Sequence, residues 1–387
     1  MARIILVTGS GGAGKSSVAA ATALAAARRG VRTVVLASGV SPGLGSVFGV
    51  EAPLFSGPRG APVAINDHLS IHEVDVSEEL RLGWNSGQGG LAALVGGGLA
   101  GAGAEEVAVT AEAAHVVTLL RLGEYVREQR HDLIVVDCGS TTEALGLVTT
   151  VSAMSWYARR QQTPAQPGRR ARLLAASLQG AEASLEVRDR LKAVDELLHD
   201  PEVTALRLVT AADTASVQEV QRAYTYFNLH GVAVDCVVIN RLAPTGAGGA
   251  SGRAQAQQSQ VEKLQGAFTD VLVLKVPEVD GEVVGEKPLE AFAEQLYQGE
   301  DPVRLGAAQP LLGLRKDAVD VYHLEVRLPF VAKSDVSLSR RGEELVIQVG
   351  GARRNVVLPR MVAQLPTSGA RMEGDRLVVS FQRERSV

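Results

Sequence analysis

Hydrophobic residues follow two rhythms along this chain. Over roughly the first three quarters they form short solid runs separated by helix-length stretches, and towards the carboxyl end they alternate one by one. Ile4-Ile5-Leu6-Val7 is the first solid run, the pattern of a strand buried on both faces. Ser16–Arg29 follows, alanine-rich, apolar at helical spacing and closed by arginines that suit the negative end of a helix dipole. Gly30 supplies the stop, and Val31–Leu36 makes a second buried strand. Strand, helix and strand in that order predict a right-handed crossover in a parallel sheet. Leu133–Asp137, Leu206–Thr210, Val234–Asn240 and Val271–Val276 read as further strands, with helices among them at Ala111–Gln129 and Ser216–Leu229. The expected fold is α/β, a doubly wound and mostly parallel sheet with ligands at the carboxyl ends of its strands.

Three stretches interrupt this pattern. Gly83–Gly103 is crowded with glycine, alanine and leucine, as a mobile apolar segment or a loose surface loop would be. Gln161–Arg170 resembles a linker, and Ala243–Gln260, rich in Gly, Ala, Ser and Gln, reads as flexible. After Pro302 the period becomes two: Tyr322–Leu328 alternates, as does much of Leu345–Val349, and Asn355–Leu358 and Leu377–Phe381 add short strands. Turns containing Gly342, Gly350, Gly351 and Gly374 complete the pattern of a small all-β sandwich. The organisation expected is residues 1–302 as the α/β domain, 303–317 as a linker and 318–387 as the sandwich.

Chemistry enters at the first turn. Gly9-Ser10-Gly11-Gly12-Ala13-Gly14-Lys15-Ser16 meets the pattern G-x-x-x-x-G-K-[ST], with a strand before it and a helix after it. Glycines let the backbone curl so that successive N–H groups face phosphate oxygens, and the helix adds its positive end. Lys15 is the candidate for the β- and γ-phosphates, and Ser16 for Mg²⁺. A second element is expected where a buried strand ends in aspartate, and Asp132–Asp137 supplies it; Asp137 is assigned to the Mg²⁺ shell. Lys15 and Asp137 are thus the catalytic candidates.

Composition narrows the partners. The net charge of −4 and an aromatic content of 4% give no basis for a nucleic-acid partner. The two cysteines, Cys138 and Cys236, sit in strand-like runs and read as buried thiols in a reducing compartment. No CxxC pair and no apolar stretch of membrane-spanning length occur, and a cytoplasmic location without an integral membrane segment is expected.

On these motifs the chain resembles the ArsA-type ATPases, a family that includes the eukaryotic ATPase targeting tail-anchored membrane proteins. The loop Gly9–Ser16 is similar to the family's GKGGVGKT. Asp137-Cys138-Gly139-Ser140-Thr141-Thr142-Glu143 looks like its DTAPTGHT. Arg222–Gly231, Val237–Arg241, Val276-Pro277-Glu278, Val283–Gly285 and Leu289–Leu296 match bacterial members. The resemblance implies ATP and Mg²⁺ as cofactors and a homodimer. It implies a cradle running from Gly9 to Ser17, and a base contact at Asn240 with Arg241 and Pro277 beside it. Val326-Arg327-Leu328-Pro329 and the Gly374–Phe381 strand resemble the small-heat-shock-protein (α-crystallin) domain, which implies assembly or client contact.

Two departures bear on activity. Where the family carries a lysine that reaches a partner's nucleotide, this chain has Ser10; where its switch reads DPAHSL, the aspartate position is Gly39. The strand-end switch also lacks the family's proline and histidine, and Glu143 is the remaining candidate for a substitute carboxylate. A charge-stabilising cation and a water-orienting carboxylate are each worth orders of magnitude in phosphoryl transfer. The expectation is therefore retained ATP binding with weakened hydrolysis. The function expected is a nucleotide-gated factor for hydrophobic or membrane-protein clients. The alternatives are a nucleotide-holding scaffold, an arsenite or anion pump subunit, and a partitioning ATPase.

Overall fold

The computed structural model describes residues 1–37, 43–50, 60–85, 110–161, 182–244, 252–305, 311–318 and 320–383. Gly39, the bulk of Gly83–Gly103 and nearly all of Gln161–Arg170 lie outside these residues.

In chain order the first elements are β1 (Arg3–Gly9), α1 (Lys15–Arg28), β2 (Thr33–Ala37), α2 (Leu44–Val47), β3 (Val63–Asn66), β4 (Leu69–Glu73) and α3 (Val76–Asn85). Next come α4 (Ala111–Glu128), β5 (Leu133–Ser140), α5 (Thr141–Gln161), α6 (Glu182–Leu198), β6 (Thr204–Ala211), α7 (Thr214–His230), β7 (Val234–Leu242), α8 (Gly252–Ala267), β8 (Leu272–Pro277) and α9 (Glu286–Tyr297). The β strands join in the order β3-β4-β2-β5-β1-β6-β7-β8, all parallel except β3 against β4. β1 is central, so the turn after it opens at the middle of the carboxyl edge.

Helices cover both faces. One layer packs α4, α5, α6, α7 and α8 on the sheet through residues such as Leu119, Leu147, Leu191, Phe227 and Leu264. The other is made chiefly by α1 and α9. The alanine content of α1 has a packing reason: Ala19, Ala20, Ala21, Ala23 and Ala26 are fully buried between the sheet and α9, where only small side chains permit close approach.

Ala243–Gln260 requires a correction. Gly252–Ala267 is a helix, not a flexible stretch. It is polar on most of its surface and anchors chiefly through Val261 and Leu264, too few apolar positions to give a period from sequence. The hairpin β3–β4 and helix α6 were also not anticipated.

The carboxyl end continues with β9 (Leu312–Ala318), β10 (Val321–Arg327), β11 (Val336–Arg341), β12 (Glu344–Val349), β13 (Ala352–Val357), the single turn α10 (Arg360–Ala363), β14 (Thr367–Glu373) and β15 (Arg376–Gln382). A sheet ordered β14-β15-β10-β9 faces one ordered β11-β12-β13, around Leu324, Val326, Ile347, Val379 and Phe381. Residues 312–317, read as linker, pair with β10 as the edge strand β9; Leu312 and Leu314 on it are exposed, so no buried alternation announces a strand.

This sandwich is docked on α7. Leu229 of α7 is part of the sandwich core. The Thr225 hydroxyl donates to the Pro329 carbonyl at 2.6 Å, and the Arg354 guanidinium donates to the Leu229 carbonyl at 2.6 Å, a cation at a helix carboxyl end. Arg327 pairs with Asp270 and Asp375, each at 2.7 Å, while Tyr224, Phe268 and Phe330 meet edge to face or tilted. From α5, Trp156 donates its indole N–H to Glu344 at 3.1 Å.

Candidate nucleotide-binding site

The loop between β1 and α1 is shaped by close backbone approach. Gly9 stands opposite Val209 of β6, and a Cβ on Gly9 would lie 1.8 Å from the Val209 carbonyl oxygen. Gly14, at φ +90°, would set a Cβ 2.5 Å from the Asn240 amide nitrogen. Side chains are excluded at both points, so the glycines are dictated by packing as well as by the turn. Gly14 is the N-cap of α1 and offers no side chain to the first turn, leaving the helix amino end with its backbone N–H groups uncapped by side chains.

Within the loop, Lys15 donates from Nζ to the Ser10 carbonyl at 2.9 Å. Ser10 donates its backbone N–H to Val209 at 3.0 Å. Its side chain is only 2% exposed, and its hydroxyl has no partner among the described residues. Gly11 and Gly12 are open to solvent, Ala13 is buried, and Ser16 and Ser17 begin α1 half-buried.

β5 brings Asp137 to one side of the loop. Its carboxylate lies close enough to the Ser16 hydroxyl to be stabilised by it. Burial pushes the Asp137 carboxyl up from its usual range, while Ser16, the Gly139 N–H and Lys15 pull the other way. Glu143 is turned back on its own turn, accepting from the Ser140 N–H at 2.7 Å beneath Gly139. It caps α5 and adds negative charge near Asp137.

β7 and β8 bring the remaining residues to the opposite side. Asn240 is buried; its amide donates to the Ala13 carbonyl at 2.8 Å and its Oδ1 accepts the Arg241 N–H at 2.9 Å. Leu242 pairs with Pro277, and the Glu278 N–H closes on the Leu242 carbonyl at 2.8 Å, so Arg241 and Pro277 stand together at the strand ends. The structure thus places Gly9–Ser17, Asp137, Asn240, Arg241 and Pro277 along the carboxyl edge of neighbouring strands.

The residues fit a magnesium nucleotide. The loop offers backbone donors and Lys15, and the Ser16 hydroxyl with the Asp137 carboxylate is a hard-oxygen donor set of the kind Mg²⁺ takes. When bound, the metal would supply charge neutralisation at the terminal phosphates.

Sequence reasoning missed other polar groups, one beside the site and one towards the amino ends of the strands. Thr141, just after β5, donates to Glu219 of α7 at 2.9 Å, tying the turn after Asp137 to the helix that carries the sandwich. Arg207 on β6 is fully buried; it pairs with Asp235 at 3.3 Å and donates to Tyr297 at 2.8 Å and to the Pro302 carbonyl at 2.7 Å. Arg207 interrupts an apolar run, and Asp235 sits in the next one; that pair of lone charges in buried strands was the available signal. Cys138 and Cys236 are both buried and unpaired, and burial pushes both thiols far up. Among the described residues no helix is long and apolar enough to cross a membrane, and no group of three or more His, Cys, Asp and Glu side chains is placed to hold a metal ion.

Comparison with known proteins agrees with this geometry. The family model for the anion-transporting ATPase ArsA matches residues 2–298, and that for the HSP20-like domain found in ArsA matches residues 319–381. "Putative arsenical pump-driving ATPase 1" of Aquifex aeolicus is 29% identical over 97% of this chain and 99% of its own. "Putative arsenical pump-driving ATPase" of Chlorobaculum tepidum is 29% identical over 99% of this chain and 96% of its own. An uncharacterized Streptomyces coelicolor protein is 31% identical over 98% of this chain and 97% of its own. The chain belongs to the ArsA ATPase family, and its carboxyl-terminal part is that family's HSP20-like domain.

Proposed function

We propose that this chain is an ATP- and Mg²⁺-binding member of its family that works as a nucleotide-gated homodimer on hydrophobic or membrane-protein clients, with slow hydrolysis. Lys15 and Ser16 hold the terminal phosphates and metal together with Asp137. Gly9–Ser17 cradle the phosphates, while Asn240, Arg241 and Pro277 form the nucleoside side. The observation that carries the reading is Ser10: its short side chain is buried against the loop, so this position extends no cation towards a second nucleotide. Glu143, the remaining candidate carboxylate, accepts the Ser140 N–H of its own turn. Binding is supported by a complete loop and slow turnover by what stands at its flanks.

The sandwich is the proposed client- or partner-facing part, since it is fixed to α7 and α7 is tied to the turn after Asp137. An arsenical pump subunit, the role in the names of the Aquifex and Chlorobaculum relatives, has less support. A metalloid requires accessible thiolates, and both cysteines here are buried in separate strands. Native mass spectrometry with ATP, with ADP and without nucleotide, combined with crosslinking to a transmembrane peptide, tests the proposal. A dimer and a crosslink that both depend on ATP are expected. A nucleotide-independent mass and no crosslink in any state would remove the gating reading and favour a scaffold.

A further inference from the structure

The carboxyl edge has a direction. Ser16 and Asp137, the groups suited to the metal and terminal phosphate, lie on the β5 side of the loop. On the nucleotide-binding reading, the nucleoside half would extend over the β7 and β8 ends. Four successive residues there are each held by a named partner. Asn240 donates to Ala13 of the loop at 2.8 Å. Arg241 donates its N–H to Asn240 at 2.9 Å, and the Leu242 carbonyl accepts from Glu278 at 2.8 Å. Gln257 of α8 completes the set with a two-way grip: its amide nitrogen donates to the Arg241 carbonyl at 3.2 Å, and its Oε1 accepts the Ala243 N–H at 2.7 Å.

Arg241 needs holding. Its φ is +59°, a left-handed conformation that L side chains rarely adopt and that persists where surroundings over-determine it, commonly at ligand sites. Its guanidinium is exposed and has no carboxylate partner among the described residues. A carboxamide donates from one end and accepts at the other, which suits a grip on the Arg241 carbonyl and the Ala243 N–H together.

We propose that Gln257 is a positioning residue for the nucleoside half of the bound nucleotide: it fixes Arg241 in its left-handed conformation and so sets the wall against which base and ribose lie. The inference rests on the nucleotide-binding reading above. It is tested by calorimetric titration of MgATP and of magnesium tripolyphosphate, which lacks base and ribose, into the wild-type chain, Gln257→Ala and Gln257→Glu. Gln257→Ala should weaken MgATP by about tenfold, the ordinary worth of one orienting hydrogen bond lost, with tripolyphosphate changed by less than about twofold. Gln257→Glu, which cannot donate to the Arg241 carbonyl, should match Gln257→Ala. Equal weakening of both probes would mean a general loss of the loop, and unchanged MgATP would mean that the grip does not matter; either overturns the proposal. Tripolyphosphate binding also reports that each variant is folded. A wild-type chain that binds tripolyphosphate as tightly as MgATP has no nucleoside wall, which sinks the proposal while sparing the loop; one that binds neither probe overturns the nucleotide reading and the proposal with it.

Discussion

The phosphate loop and the seam between α7 and the sandwich are both polar, yet they treat their polar groups in opposite ways. At the seam three groups have strong partners: Arg327 has two aspartates, Arg354 has a helix-end carbonyl and Thr225 has the Pro329 carbonyl. Among the described residues, Lys15 at the loop bonds its own loop's carbonyl, the Ser10 hydroxyl has no partner, and no side chain caps the amino end of α1. A buried polar group left unmatched is destabilising, so unmatched groups are tolerated where a ligand is to be received, and strong pairing suits a fixed joint. The seam is accordingly read as structure and the loop as function, and the two should separate under mutation.

The largest effect is expected at the seam. Leu229→Ala removes a fully buried side chain from the sandwich core and should cost about 2–5 kcal/mol in chemical denaturation, with MgATP affinity of the folded protein unchanged. Lys15→Ala should do the reverse. Its effect on the unliganded melting temperature should be slight, while MgATP binding by calorimetry weakens about 100-fold, or roughly 3 kcal/mol. Loss of stability with unchanged affinity would show that Lys15 serves the fold instead. Thr225→Val keeps the shape but leaves the Pro329 carbonyl buried without its donor; a loss of about 1–3 kcal/mol is expected, again without effect on MgATP.

Acidification gives the smallest and broadest test. Burial holds His72 and His230 neutral, lowering each from 6.5 to about 4. The unfolded chain takes up these protons below about pH 6.5 and the folded chain only near pH 4, so the unfolded state binds more protons within that window. Stability should therefore fall as the pH drops from 6.5 towards 4. His230 borders the seam, and hydrogen exchange should show α7 and β13 opening before β1 and α1. The opposite order would break the comparison.

How much of this was legible in sequence follows from the same contrast. The loop, β1, α1 and the Asp137 strand end were readable because local rules dictate them: a glycine turn, a solid apolar run, a helix stop. The seam was not, because it depends on residues far apart in sequence, such as Arg354 with Leu229 or Thr225 with Pro329, whose types carry no local signal. α8 is not legible because polar helices look like linkers, and Gln257, which bonds Arg241 and Ala243, lies inside it. Arg207 was passed over because one charge does not disrupt an apolar run, although in the folded chain it joins α9, β7 and Pro302. Asn240 was assigned to the base by resemblance; its amide also holds Ala13, which residue type alone did not reveal.

The central claim is an intact nucleotide site with little turnover, and single-turnover hydrolysis with protein in excess over γ-labelled ATP tests it most directly. The account predicts stoichiometric capture of MgATP and release of phosphate over many minutes, far below the median on the order of 10 s⁻¹ typical of enzymes. Complete conversion to ADP within about a second would contradict it, and would mean that a residue other than Ser10 or Gly39 supplies the missing chemistry.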